Sequence, residues 1–125
     1  MRDSALRILV ADDDPEVLQD VAGALEGMGA VVTVAASGGD LIEALGNPGT
    51  AFDLVVTDVA MPWMTGLQAV AATRYAGLAT PVIVMTALRD DKIPAQVEAL
   101  GRGAVLLRKP FGMTELEHAV ETLVS

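Results

Sequence analysis

Five short apolar runs punctuate the chain, spaced so that a helix fits between each pair. They are Ile8–Ala11, Val31–Ala35, Phe52–Thr57, Val82–Met85 and Ala104–Leu107. Each is rich in leucine or β-branched residues and shows little alternation of polar and apolar positions. Strands covered on both faces, as in a parallel sheet, read this way. The intervening segments carry apolar residues at helical spacing instead. In the clearest of them, Val17, Leu18, Val21, Ala22, Leu25 and Met28 form one stripe, with Glu16, Gln19, Asp20 and Glu26 opposite.

Helix punctuation supports the same division. Asp14–Pro15 reads as an N-cap followed by proline at the first helical position, and Gly29 follows the last apolar residue of that stripe. Ser37 with Asp40, and Thr65 with Gln68, have the spacing of capping boxes, the first in an acidic form. Pro94 fits the first turn of the fourth helix, which should therefore start late. The last helix turns Leu116, Ala119, Val120 and Leu123 inward, with Gly112 as its cap and His118 on the solvated face. Strand and helix thus alternate five times, which predicts a doubly wound α/β fold: a five-stranded parallel sheet with five helices. Ligands of such folds bind outside the carboxyl ends of the strands, where strand order reverses.

Composition narrows the classes further. At roughly 100–200 residues per domain, the chain is expected to be one unit over residues 1–125. An apolar fraction of 52% with 20% charged residues exceeds what a disordered tail carries. Eight basic against 17 acidic side chains, a net charge of −9, argue against direct nucleic-acid binding, because polyanions would meet a surface of their own sign. With no cysteine, disulfides and thiolate-bound metals are excluded. No run approaches the roughly 18 apolar residues of a membrane span, and Met1–Arg7 lacks the pattern of a secretory signal. No membrane partner and a cytoplasmic location are the expectation.

The strand ends hold the chemistry. Asp12-Asp13-Asp14 follows the first apolar run, Asp58 the third, Thr86-Ala87 the fourth and Lys109-Pro110 the fifth. If the first strand lies beside the third, Asp12, Asp13 and Asp58 converge on one pocket, with Thr86 and Lys109 approaching from the other side. Three carboxylates about 5 Å apart repel one another by roughly 3 kcal/mol per pair at an effective dielectric near 20. A hard divalent cation relieves that repulsion. Mg²⁺ fits, since it prefers oxygen and uses one or two carboxylates plus waters and a phosphate. With Mg²⁺ and Lys109 the cluster is neutral and has room for one phosphoryl group, and a carboxylate is an established covalent phosphoryl acceptor.

At these residues the chain resembles a known family. Ile8–Pro15, Asp53–Gly66, Met85-Thr86-Ala87 and Lys109-Pro110-Phe111 look like the motifs of the receiver domain of bacterial two-component response regulators. The resemblance covers essentially the whole chain, with every motif in order and at a strand end. It implies the flavodoxin-like strand order 2-1-3-4-5. It further implies that Asp58 is the phosphoacceptor, that Asp13 binds Mg²⁺ directly and Asp12 mainly through water, and that the backbone carbonyl of Ala60 is another ligand. Lys109 would pair with Asp58 and then with the phosphoryl group. Thr86 would bond a phosphoryl oxygen, for which the small Ala87 leaves space. The implied partners are a sensor histidine kinase or phosphotransfer protein and a downstream output domain or protein, with a phosphorylation-linked homodimer as one form. Such a protein is a switch that catalyses its own phosphorylation and dephosphorylation, not a turnover enzyme.

This sequence departs from the family pattern in three places. Leu106 stands where the family usually has tyrosine or phenylalanine, Gly103-Ala104 lies one residue closer to the motif lysine, and Trp63 fills a position often given to a smaller residue. Leu106 supports an alternative, a receiver-like interaction module that does not switch by phosphorylation. An aspartate-dependent phosphohydrolase uses a comparable set of groups. It would, however, carry its nucleophile in an Asp-x-Asp motif after the first strand, and that segment here reads Asp12-Asp13-Asp14-Pro15-Glu16.

Overall fold

The apolar runs form five strands in the computed structural model of the chain, which describes residues 5–47, 49, 51–59, 68, 70, 71, 80–87, 89–101 and 103–124. The strands are β1 (Arg7–Ala11), β2 (Val31–Ala35), β3 (Leu54–Asp58), β4 (Val82–Thr86) and β5 (Ala104–Arg108). They make one parallel sheet in the order β2-β1-β3-β4-β5. Four helices lie within the described residues: α1 (Pro15–Gly27), α2 (Gly38–Leu45), α3 (Lys92–Glu98) and α4 (Met113–Val124). The fifth expected helix, between β3 and β4, falls mostly outside them, although Gln68, Val70 and Ala71 are helical. Thr65 and Trp63 lie outside the described residues.

Alternation along the central strands divides the core into two layers. Ile8, Val10, Leu54, Val56, Ile83 and Met85 face one side, where Val21 and Leu25 of α1 and Leu116 and Val120 of α4 cover them. Leu9, Ala11, Val55 and Val84 face the other, against Leu41 of α2, Val70, and Ile93 and Val97 of α3. Away from their ends, and with Thr57 as the exception, β1, β3 and β4 are apolar because both of their faces are buried, which removes the period-two signal. β2 departs furthest from the expected double coverage, and β5, at the other edge, is mostly half-buried. Val31 is 56% and Val34 55% exposed, because β2 is an edge strand and lacks neighbours on one side.

The helix caps follow the sequence closely. Asp14 Oδ1 accepts from the Glu16 N–H at 3.0 Å, and Ser37 Oγ accepts from the Asp40 N–H at 3.1 Å. Gly29, with φ of +90°, occupies the left-handed region that ends α1 and turns the chain into β2. Met28 differs from the expected stripe. It lies beyond the last turn, as the C-cap of α1, and is 36% exposed. α3 begins at Lys92, which places Pro94 in its first turn, where a missing N–H costs no intrahelical bond. His118 is exposed, and Leu116, Ala119 and Val120 are buried.

Candidate functional site

Strand register alone brings the polar strand ends together. Ala11 pairs with Thr57, so Asp12 and Asp58, each one residue further on, emerge side by side. Asp58 pairs with Met85, and Thr86 follows it. Thr86 pairs with Arg108, and Lys109 follows in turn. Backbone bonds extend the ladder into the site: the Asp12 N–H donates to the Ala35 carbonyl at 3.1 Å, Val59 N–H to Met85 at 3.0 Å, and Lys109 N–H to Thr86 at 2.7 Å. The Lys109–Pro110 peptide bond is cis. The rigid sheet edge, rather than a loop, therefore sets most of the geometry.

Asp12, Asp13 and Asp58 each offer one carboxylate oxygen, and the three atoms lie within 4.8 Å of one another. Asp12 and Asp58 are buried and Asp13 is exposed. The Asp14 N–H donates to Asp12 Oδ1 at 2.9 Å, and the Lys109 ammonium donates to Asp12 Oδ2 at 2.8 Å. Lys109 also lies 3.4 Å from Asp58 Oδ1. The expected pairing of Lys109 with Asp58 is thus present but shared. The shorter contact goes to Asp12, whose side chain is only 1% exposed and most in need of a counterion.

The electrostatics of the two central groups follow from this crowding. Burial pushes the Asp58 carboxyl above its ordinary value, the Asp12 charge pushes it the same way, and Lys109 only partly offsets both. Burial acts to lower the Lys109 ammonium. Its hydrogen bond to Asp12 and the charges of Asp58 and Asp12 outweigh that and hold it above its ordinary value. A carboxylate cluster with one lysine remains short of positive charge. Octahedral Mg²⁺ with ligands at about 2.1 Å separates its oxygens by about 3–4 Å, so oxygens already within 4.8 Å fit it with small movements. Thr86 is buried at the same edge and Ala87 is exposed just beyond it. A cleft of about 440 Å³ opens alongside, lined by Ala87 and Lys109 together with Val17, Val21 and Phe111.

The response regulator receiver domain profile matches residues 8–121. The chain belongs to that family. The receiver is 34% identical to the transcriptional activator protein PfeR of Pseudomonas aeruginosa, over 94% of this chain and 37% of that protein. It is 35% identical to the response regulator protein PmrA of the same organism, over 94% of this chain and 52% of that one. It thus spans about a third to a half of the length of these relatives. Among solved structures, the receiver domain of a Francisella response regulator superposes with a TM-score of 0.83 at 31% identity, covering 95% of this chain and 96% of that one. The chemotaxis response regulator CheY4 of Vibrio cholerae gives a TM-score of 0.83 at 28% identity, covering 96% and 99%. The flavodoxin-like strand order of the sheet agrees with these neighbours.

Of the residues singled out in the sequence, the fold gathers Asp12, Asp13, Asp58 and Lys109 into one cluster and sets Thr86 and Ala87 on its border. Ala60 lies outside the described residues. Leu106 is half-buried and packs against the core layer that holds Leu9 and Val55. One feature escapes the sequence pattern, a buried hydroxyl at Thr57. A threonine in an apolar strand reads as an ordinary β-branched residue, so only its polarity next to Asp58 was available as a signal. No described helix is long and apolar enough to cross a membrane.

Proposed function

We propose that this receiver takes a phosphoryl group onto Asp58 from the phosphohistidine of a sensor kinase or phosphotransfer protein. One observation carries the reading. The carboxylates of Asp12, Asp13 and Asp58 meet within 4.8 Å, with the Lys109 ammonium 3.4 Å from Asp58, at the carboxyl edge of the sheet. Asp12, Asp13 and Asp58 would hold Mg²⁺, together with the Ala60 carbonyl. The ion supplies neutralisation of the charge that an incoming phosphoryl group adds to the carboxylates.

The side chains of the receiver do the rest. An Asp58 carboxylate oxygen attacks phosphorus, and the new O–P bond forms as the P–N bond to the donor imidazole breaks. The nitrogen keeps the bonding electrons, leaving a neutral imidazole once the ring is singly protonated. Lys109, already between Asp12 and Asp58, exchanges a carboxylate contact for a phosphoryl oxygen. Thr86 donates its hydroxyl to another, and Ala87 leaves the space for it. Drawing Thr86 toward the site biases the surface formed by α3, β5 and α4, which an output partner reads. The receiver acts on itself, once per phosphoryl group, and works as a switch.

Intact-mass measurement after incubation with acetyl phosphate tests this, with and without Mg²⁺ and alongside Asp58→Asn. One Mg²⁺-dependent phosphoryl adduct, absent from the variant, is the expected result. A protein that binds Mg²⁺ yet forms no adduct would instead be a receiver-fold interaction module.

A further inference from the structure

Four polar residues are buried among those described: Asp12, Asp58, Thr86 and Thr57. The first three belong to the proposed phosphoryl site. Thr57 does not, and its environment is unusual for a hydroxyl. Its register partners are Ala11 on β1 and Val84 on β4, two residues of the apolar layer that also contains Leu9 and Val55. The residue is fully buried. A hydroxyl buried in an apolar layer needs a partner, or it costs about 1–3 kcal/mol. Here Thr57 Oγ1 donates to the backbone carbonyl of Asp58 at 3.1 Å.

That carbonyl begins the peptide group that joins Asp58 to Val59. The N–H at the other end of the same peptide group donates to the Met85 carbonyl at 3.0 Å. The group is therefore gripped at both ends, by Thr57 from one side and by β4 from the other. Rotating it would turn the backbone at Asp58, and with it the Cα–Cβ bond that carries the carboxylate. In a low-dielectric layer, a hydrogen bond of this kind is stronger than in water and resists that rotation. Valine has the same shape and would pack as well in this layer, so packing does not explain the hydroxyl.

We infer that Thr57 is a positioning residue, whose hydroxyl fixes the Asp58–Val59 peptide group and thereby aims the Asp58 carboxylate for phosphoryl transfer. The inference rests on the phosphoacceptor role of Asp58. Near-attack geometry is steep in its effect on rate, with misplacements of about 1 Å costing up to about 100-fold.

Thr57→Val and Thr57→Ser, each assayed with acetyl phosphate in saturating Mg²⁺, test it. For Thr57→Val, the rate at saturating donor and saturating Mg²⁺ should fall about tenfold, in a protein that still unfolds cooperatively well above the assay temperature. Thr57→Ser, which keeps the donor, should phosphorylate within about twofold of wild type despite losing a methyl group. A valine variant as fast as wild type, or a serine variant as slow as valine, overturns the inference. Should the valine variant fail to fold, Thr57→Ser and Thr57→Cys provide a pair of similar size with a strong and a weak donor, and equal rates in that pair overturn it too. Wild-type protein is the control that separates the two levels. If it forms no adduct, the phosphoacceptor reading itself has failed, whereas an active wild type matched by Thr57→Val removes only the role of Thr57.

Discussion

Replacing Lys109 by glutamine measures how far the buried carboxylates depend on a single cation. The ammonium lies 2.8 Å from Asp12 Oδ2 and 3.4 Å from Asp58 Oδ1. At an effective dielectric near 20, those separations correspond to gross attractions of about 6 and about 5 kcal/mol. Desolvation offsets much of this, because the Asp12 side chain is 1% and the Lys109 side chain 19% exposed. Glutamine removes the attraction but leaves Asp12 and Asp58 facing each other, with a repulsion of about 3 kcal/mol on the same scale. Removing one partner of a buried pair costs about 3–5 kcal/mol, and the residual exposure of Lys109 puts this case near the lower end. The expected loss is about 3 kcal/mol, or about 10 °C in melting temperature for a chain of this length.

Urea unfolding in EDTA, followed from about pH 4 to about pH 10, checks both size and sign. Asp58 is raised above its ordinary 3.8 in the folded protein, so acidification neutralises it early and the cation matters less. The cost of Lys109→Gln should therefore be largest near neutrality and shrink as pH falls toward the carboxylate range. Lys109 is raised above its ordinary 10.5. Its contribution is complete below that value and is lost only as pH rises through the folded one. A cost under about 0.5 kcal/mol near neutrality, or one undiminished in acid, would refute the reasoning.

Asp58→Asn should behave in the opposite way. Burial and Asp12 disfavour its charge, so the variant should be more stable than wild type at neutral pH in EDTA, and the gain should fade as pH falls through the folded value, which chemical denaturation at several pH values reads directly. Adding Mg²⁺ in the millimolar range should raise the melting temperature of wild type by mass action, and Asp13→Ala should abolish most of that rise. Asp14→Ala, which removes the cap bond to the Glu16 N–H, should cost about 1 kcal/mol in urea without affecting the phosphorylation rate at saturating donor. Leu25→Ala should cost about 3 kcal/mol, because Leu25 is fully buried between α1 and the sheet.

What the amino-acid order determined by itself was local. Unbroken apolar runs specified buried strands, because a strand with two covered faces has no polar side to show. Asp14-Pro15, Ser37 and Gly29 specified helix ends, because caps act over three or four residues. The candidate site was legible for the same reason: Asp12, Asp58, Thr86 and Lys109 stand where apolar runs end, and strand ends are where α/β folds bind ligands. Tertiary structure alone decided the rest. It made β2 an edge strand that leaves Val31 and Val34 exposed, since coverage depends on neighbours distant in sequence. It gave the shorter Lys109 contact to Asp12 rather than Asp58, because burial of each carboxylate, not spacing along the chain, decides which one most needs the charge. It also turned Thr57 from one more β-branched strand residue into the hydrogen-bond donor that holds the Asp58 backbone, an outcome set by a buried, apolar layer that only the packed sheet creates.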